Sequence, residues 1–480
     1  MMKLLLPFVL GLSLITLNGC GGGGSMVAEG GIGGTGVSMG RVSSFGSLFV
    51  NGVEFDVNSS DFIYEGQPAV TVGDDSGIRV GMVVRITGAV DGATGMADIV
   101  EYASLFMGTL SSKTIASNET GTLDAMGQHV TVDADTVYDD GGSGKLLSAL
   151  PLGALIEVSG FSDGMGNVLA TRIEVKAQNY SGETLDVKGL ASSLDTSIKS
   201  FQLGSLNIIY SAIDLPAGIT EGTYVEAKGT LQNNTLVASD VQIEDDGDLV
   251  IADDGEEAEL EGLVTRILAT TADSSLIIVN GQQVLVDANS RFEPTGNATN
   301  LVIGQPLEVS GVMDNVTLVA AKVALKAPAS QKEELEGVPS IIDPNSNTIT
   351  LLDQTIRVTT FTIFEDDLSD SKTFNLNSLT PGVDYLSIDL FQAADGLLEA
   401  SKVERNNNPS SDPRFSEVEG YIQAVDLGLQ QISAVNVTID ITDPTLSGFT
   451  PVQGDRVEIF GVYDAASGIL QASSVSTDID

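Results

Sequence analysis

The sequence predicts an all-β chain: six small β barrels in tandem, behind a lipoprotein-type export signal and a glycine-rich tether. Three observations carry this. A block of glycine, six residues and a second glycine recurs, each time with an alanine nine to eleven residues further on. Inside the block, apolar and charged residues alternate with the period of a half-buried strand. Asn-Gly pairs stand between alternating apolar runs, the mark of a tight hairpin, because both turn residues need positive φ.

The block appears as Gly81…Gly88 with Ala97, Gly153…Gly160 with Ala170, Gly222…Gly229 with Ala238, Gly304…Gly311 with Ala320, and Gly454…Gly461 with Ala472. A degenerate copy starts at Gly382, carries Asp389 in place of the second glycine, and reaches Ala400. The leading glycines are 72, 69, 82, 78 and 72 residues apart. Val84/Ile86, Ile156/Val158, Val225/Ala227, Leu307/Val309 and Val457/Ile459 form the apolar face. Arg85, Glu157, Glu226, Glu308 and Glu458 stand between them, where the alternation predicts solvated acids. The glycines are read as turns and bends, so the block is a fold signature and no binding site.

In the next strand the step from the alanine to the following apolar residue is three, as in Ala170 to Ile173 and Ala238 to Val241. One extra residue predicts a β-bulge. Each unit opens with another glycine and a strand, as at Gly40, Gly262 and Gly420, and then turns through a hairpin. Asn51-Gly52 and Asn280-Gly281 make that turn in units one and four. About five strands per unit of 70–80 residues suit a small barrel of the OB type.

Met1 to Asn18 read as an export signal, with Lys3 at its positive end and an apolar run from Leu4 to Leu17. Leu17-Asn18-Gly19-Cys20 has the form of a bacterial lipobox, in which Cys20 is lipidated. The residues after Cys20 lack aspartate, which points to the outer membrane. Residues 21–36 hold nine glycines and read as a flexible tether, not a phosphate loop.

The resulting organisation is a signal peptide (1–19), a tether (20–35), and repeats at 36–104, 105–180 and 181–245. An acidic linker (246–257) precedes repeats at 258–328 and 329–405, and a polar linker (406–414) precedes the last repeat, 415–480. Like charges extend the acidic stretch, where nine of residues 244–259 are acids. The linkers predict loose blocks of three units, two units and one unit, arranged as an extended row on the order of 150 Å long.

The Gly30–Gly36 lead, the Val-Asn-Gly hairpins and the Gly-x-x-Val-x-Val-x-Gly…Leu-x-Ala block resemble the bacterial family called domain of unknown function 5666. The resemblance covers nearly all of 36–480, with units one and four matching best. Unit five departs, with Leu386 in the charged slot and Asp389 in the glycine slot, which predicts a shifted register there. The resemblance implies a β-barrel fold and an envelope location, and no catalytic residues.

The chemistry available is narrow. The net charge is −44, from 22 Lys+Arg against 66 Asp+Glu. Such a surface repels phosphate backbones, so no nucleic-acid partner is expected. Cys20 is the only cysteine and His129 the only histidine, and tryptophan is absent. This leaves no disulfide, no cysteine-based zinc site and no nucleophile–base pair. His129 lies in an alternating stretch and reads as a surface residue. The expectation is therefore no enzyme and no cofactor. The protein would be a lipid-anchored envelope protein whose barrels meet an envelope protein or glycan, its oligomeric state unspecified. The alternative is a calcium-binding or adhesion module. It would use the acidic, glycine-rich loops at Asp139 and Asp140, at Asp245, Asp246 and Asp248, and at Asp253 and Asp254 as weak calcium sites. An uncharacterised hydrolase ranks last.

Overall fold

The alternation gives each strand one apolar face, and in every unit those faces close around a core. Unit three shows the order most simply. Its five strands are Leu185–Asp195, Ser200–Leu203, Leu206–Ile209, Tyr224–Gln232 and Thr235–Ile243. The first pairs antiparallel with the second and the fourth, and the second with the third. The third runs parallel to the fifth, which returns antiparallel to the fourth. The ring 1-2-3-5-4-1 leaves no unpaired edge, and it forms a small barrel of the OB type. Units one, two, four and six close by the same pairings. These features come from a computed structural model that describes residues 34–477, apart from 46, 117–119, 140–146, 245–251, 294–295, 327–332, 367, 369–373, 394–395 and 447.

The leading glycine of each block closes the ring. Its N–H donates to a carbonyl in the unit's first strand, two residues past that strand's own glycine. The bonds run from Gly81 to Val42, Gly153 to Leu110, Gly222 to Ala191, Gly304 to Val264, Gly382 to Pro339 and Gly454 to Ile422, all at 2.7–2.9 Å. In five units the first-strand residue returns a bond to the carbonyl one position after the glycine, as Val42 N–H does to Met82. Pro339 has no N–H to return, and there the first strand of unit five is split into Glu333–Gly337 and Ile341–Asp343. The six leading glycines have φ between +75° and +94°, the left-handed region.

The bulge is present in all six units. The register shifts at Thr87/Gly88, Ser159/Gly160, Lys228/Gly229, Ser310/Gly311, Asp389/Leu390 and Phe460/Gly461, so the residue after each alanine is left unpaired. A Cβ on Gly88, Gly160, Gly229, Gly311 or Gly461 would overlap the carbonyl oxygen of the residue before the facing alanine. In unit five, Leu390 rather than Asp389 faces Ala400, so the register is shifted by one residue. Leu386, Ile388 and Leu390 are fully buried, and Ser387 takes the slot between strands' apolar residues that Glu308 holds in unit four.

The units are joined in pairs, and not as the linkers suggested. Units one and four share a sheet through their first strands, Gly34–Ser44 and Glu257–Thr270, which run parallel with Gly36 opposite Glu257 and Met39 opposite Leu260. Glu257, placed at the end of the acidic linker, is therefore a strand residue, and the strand of unit four begins there. Units two and three join through Phe106–Ile115 and Leu185–Asp195. Units five and six join through Glu333–Gly337 and Phe415–Asp426. The apolar cores merge accordingly: one cluster spans units two and three, another spans five and six, and Val37 of unit one packs into the core of unit four.

The extended row is overturned as well. Arg41 and Tyr102 of unit one reach units two, four and five through buried contacts. The polar stretch before unit six is itself folded on Asn408 and Asp412, which accept backbone bonds from Ser410 and Arg414.

Two outcomes follow. Gly311→Ala places a methyl on a backbone oxygen and lowers stability by about 3 kcal/mol. Gly304→Ala meets no atom within 4 Å and carries only the strain of φ +84°, about 1 kcal/mol. Calorimetric melting of the two variants separates them. In small-angle scattering the folded part gives a radius of gyration near the ~22 Å of a compact chain of this length, against roughly 40 Å for a row of six.

Candidate functional site

A strand in a small barrel has two faces, and here the outer face of many strands is covered by another unit. The charged slot of the block lies on that face. Glu226 and Glu308 are buried, Glu308 to 1% exposure, which corrects the expectation that these acids are solvated. Arg85, Glu157 and Glu458 in the equivalent slots are half-buried. The chemistry of the molecule is therefore gathered at the seams between units.

At the first seam Arg41, 2% exposed, holds four units together. Its backbone N–H donates to Glu261 Oε2 at 2.9 Å, and its Nε lies 3.1 Å from Glu261 Oε1 in unit four. Its Nη2 donates to the Phe361 carbonyl in unit five, and its Nη1 lies 3.9 Å from Asp135 Oδ2 in unit two. Lys326 Nζ meets the same Asp135 oxygen at 2.6 Å. Burial alone would lower the Arg41 pKa, but Glu261, with Asp135, Asp133 and Glu308 behind it, outweighs burial and holds the guanidinium charged. Beside it, Glu259 is fully buried with no hydrogen-bond donor on either carboxylate oxygen. Burial and then Glu308 push its pKa well above the usual range. Burial raises Glu308 to about 7, with Lys322 opposing and Glu261 adding to the shift.

At the second seam Lys188 faces Glu226 and Lys228 faces Asp186 across paired strands. The ammonium–carboxylate distances are 3.5 Å for Lys188–Glu226, 2.8 Å for Lys228–Glu226 and 3.6 Å for Lys228–Asp186. Glu65 of unit one completes a group of three acids whose oxygens lie within 4.8 Å of one another. Among the described residues it is the only such group with the compactness of a metal site. The two ammonium groups serve Glu226, but burial and then Glu226 raise Asp186 to about 8, with Lys188 and Lys228 opposing, and its Oδ1 is buried with no donor.

At the third seam the facing pairs are Glu334 with Glu419 and Glu336 with Glu417. Tyr385 Oη donates to Glu336 at 3.0 Å, Ser387 Oγ donates to Glu334, and Arg456 binds Glu419 at 2.6 Å. Burial and then Asp389, Glu336 and Glu417 raise Glu334 well above the usual range. Burial and then Glu336, Glu458 and Glu419 raise Glu417 to about 9.

Among the described residues, the acids of the acidic, glycine-rich loops have separate partners. Asp139 pairs with Arg172 in unit two. Asp254 Oδ1 accepts the Asn315 N–H at 2.8 Å, and the Asp253 N–H donates to Glu256 in the same turn. Both are exposed. Cys20, Asp140, Asp245, Asp246 and Asp248 lie outside the described residues. His129 is exposed, its Nδ1 2.8 Å from Asp124 Oδ1. The leading glycines Gly81, Gly153, Gly222, Gly304 and Gly454 stand at turns, as the spacing predicts. The second glycines Gly88, Gly160, Gly229, Gly311 and Gly461, read as turns or bends, instead lie inside strands opposite the bulge alanines, where a Cβ has no room.

One repeated contact has a sequence signal that the block analysis passes over. Ser60, Thr136, Ser290 and Thr362 each donate a hydroxyl to the carbonyl of the bulge alanine in their unit, at 2.6–2.9 Å. Ser60, Thr136 and Ser290 stand at the end of a short polar turn, such as Asp133-Ala-Asp-Thr136 and Asp287-Ala-Asn-Ser290, and Thr362 lies within the strand Gln354–Asp366.

The family model for "Domain of unknown function (DUF5666)" matches residues 108–174, 261–324 and 338–404. The chain carries tandem repeats of this family. The matched DUF5666 stretches lie in units two, four and five. Unit one, expected to match best, is outside them, and the divergent unit five is inside. Units one, three and six share the strand order of the matched DUF5666 units. No curated protein matches the chain. Among solved structures, "drosophila Unr CSD456" is similar at 12% identity, over 47% of this chain and 99% of that one, with a TM-score of 0.13. That likeness carries none of the fold assignment, which rests on the strand pairings.

Arg41→Met leaves Glu261 buried without its cation, while Asp135 keeps Lys326, and destabilises the chain by about 3 kcal/mol. Adding Glu261→Leu recovers part of the loss. Denaturant midpoints of the single and double variants test this.

Proposed function

We propose that the protein is a non-enzymatic, lipid-anchored component of the cell envelope, on the outer membrane, that presents its barrels to a protein or glycan partner. One observation carries the reading. The sole cysteine of 480 residues ends an apolar export run in the lipobox form Leu17-Asn18-Gly19-Cys20. The nine glycines of residues 21–36 then give the slack that a folded body needs to stand off a membrane. The acidic balance supports an exterior setting, since it repels both nucleic acid and anionic headgroups.

The DUF5666 repeats would act as one body rather than as beads. Units one, two, four and five are tied at Arg41, so a partner would meet a surface made of several units at once. The exposed loops, where the copies differ most, are where such a partner would discriminate.

Metabolic labelling with a radioactive fatty acid tests the anchor. Label enters the native chain and the protein sediments with membranes. Cys20→Ser loses the label and moves to the soluble fraction. Equal fractionation of the two forms would refute the anchor.

A further inference from the structure

The first and third seams bury more carboxylate than the nearby cations can answer. In the first, Glu259 stands on the first strand of unit four and Glu308 on its fourth strand, both under units one and five. Ser38 of unit one is the register partner of Glu259, and Thr360 Oγ1 of unit five donates to Glu308 at 3.4 Å. The ammonium facing them is Lys322, 4.0 Å from Glu308 but 3.3 Å from a third acid, Glu293. Arg41 and Lys326 are engaged with Glu261 and Asp135. Glu259 thus has two buried oxygens and no donor. Left ionised, such a group carries a heavy desolvation cost. A proton placed on Glu259 and donated to Glu308 removes that cost and supplies the missing hydrogen bond.

The third seam repeats the problem. Glu334 and Glu336 of unit five and Glu417 of unit six approach one another, with Asp389, Glu404, Glu419 and Glu458 around them. The cations there are committed elsewhere: Lys402 lies 3.2 Å from Glu404 and 3.9 Å from Asp389, and Arg456 binds Glu419. Tyr385 and Ser387 each supply one donor to this group.

We propose that these two seams are closed by protons, shared between Glu259 and Glu308 in one and among Glu334, Glu336 and Glu417 in the other, so that the paired units part as the acids ionise. In the second seam Lys188 and Lys228 face the acids directly, and among those acids Asp186 is raised to about 8 by burial and then Glu226.

The sign follows from linkage. These carboxyls bind protons more tightly in the closed seam than when exposed to water, where they titrate near the ordinary glutamate value. Closure is therefore strongest below about pH 4.5. It weakens as the pH rises, as Glu308, raised to about 7, and Glu417, raised to about 9, ionise, and Glu259 and Glu334, pushed well above the usual range, lose their protons in the same direction. Opening lets water and counter-ions reach the charges, while each barrel keeps its own ring of strands.

Amide hydrogen exchange on the full chain tests this between pH 5.5 and 9.5, with rates corrected for the intrinsic chemistry. The readout is protection in Gly34–Ser44 and Glu333–Gly337, relative to the barrel-internal pair Tyr224–Gln232 and Thr235–Ile243. The seam strands lose about tenfold in relative protection per pH unit at the steepest point. Glu259→Gln and Glu417→Gln, which keep a neutral amide in place of the acid, flatten the dependence each in its own seam. A constant ratio across the range, or an unchanged slope in both variants, overturns the proposal. So does calcium that restores protection at pH 9, since the acids would then hold a cation. Should the variants fail to fold, carboxyl carbon NMR of labelled glutamate in the native chain decides. Glutamates titrating above pH 6.5 support shared protons, and a set that all titrates below pH 5.5 refutes them.

Discussion

One hydrogen bond, from the N–H of the leading glycine to the carbonyl of the first strand, underlies the architecture. It sits where the fourth strand begins and the first strand bends over the second, and it fixes both at once. Ring closure follows from it, and ring closure removes the strand edges that a small sheet would otherwise expose. Unit five shows which half of the exchange matters. Pro339 abolishes the returning bond and splits the first strand, yet the Gly382 N–H still reaches the Pro339 carbonyl at 2.9 Å. The glycine is needed because the chain enters the strand from a left-handed conformation that other residues adopt at a cost.

With the ring closed, every strand has an inner face filled by apolar residues and an outer face left over. The six units cover much of that outer surface with one another. A barrel of 70–80 residues has a limited core of its own, and the chain has no disulfide, so neighbour packing is a natural source of stability. The covering brings charged residues inside. Arg41 with Glu261 and Asp135, and Lys188 and Lys228 with Glu226, are the compensated cases. Asp186, Glu259, Glu308, Glu334 and Glu417 are among those whose environment pushes them towards neutrality.

Much of the fold was legible because it is local. Alternation placed the strands, the Gly–Ala spacing placed the bulge, and Leu386 with Asp389 gave away the register shift in unit five. The choice of partner unit was not legible. Val37 alternates like any core residue, and nothing near it says that its core belongs to unit four, some 220 residues away. The burial of Glu308 was hidden for the same reason. A single strand reports that it has a polar face but not what covers that face, and a solvated acid and a seam acid occupy the same slot. Arg41 was equally silent, a lone base in an opening strand whose three partners come from three other units.

The parallel pairing of Gly36–Met39 with Glu257–Leu260 has a consequence for how the chain is made. Contacts of such long sequence separation form late, because a large loop must close before they give anything back. A chain emerging from its amino end, by synthesis or by export, presents unit one long before its partner exists. Units two and three, adjacent in sequence, can complete their shared sheet in the interval, and so later can five and six. Unit one must instead wait with one flank of its first strand unmatched and Arg41 uncompensated by Glu261. The first-made domain is thus the last to be finished, and the interval before unit four arrives is when the nascent chain is most open to pairing with another copy of itself.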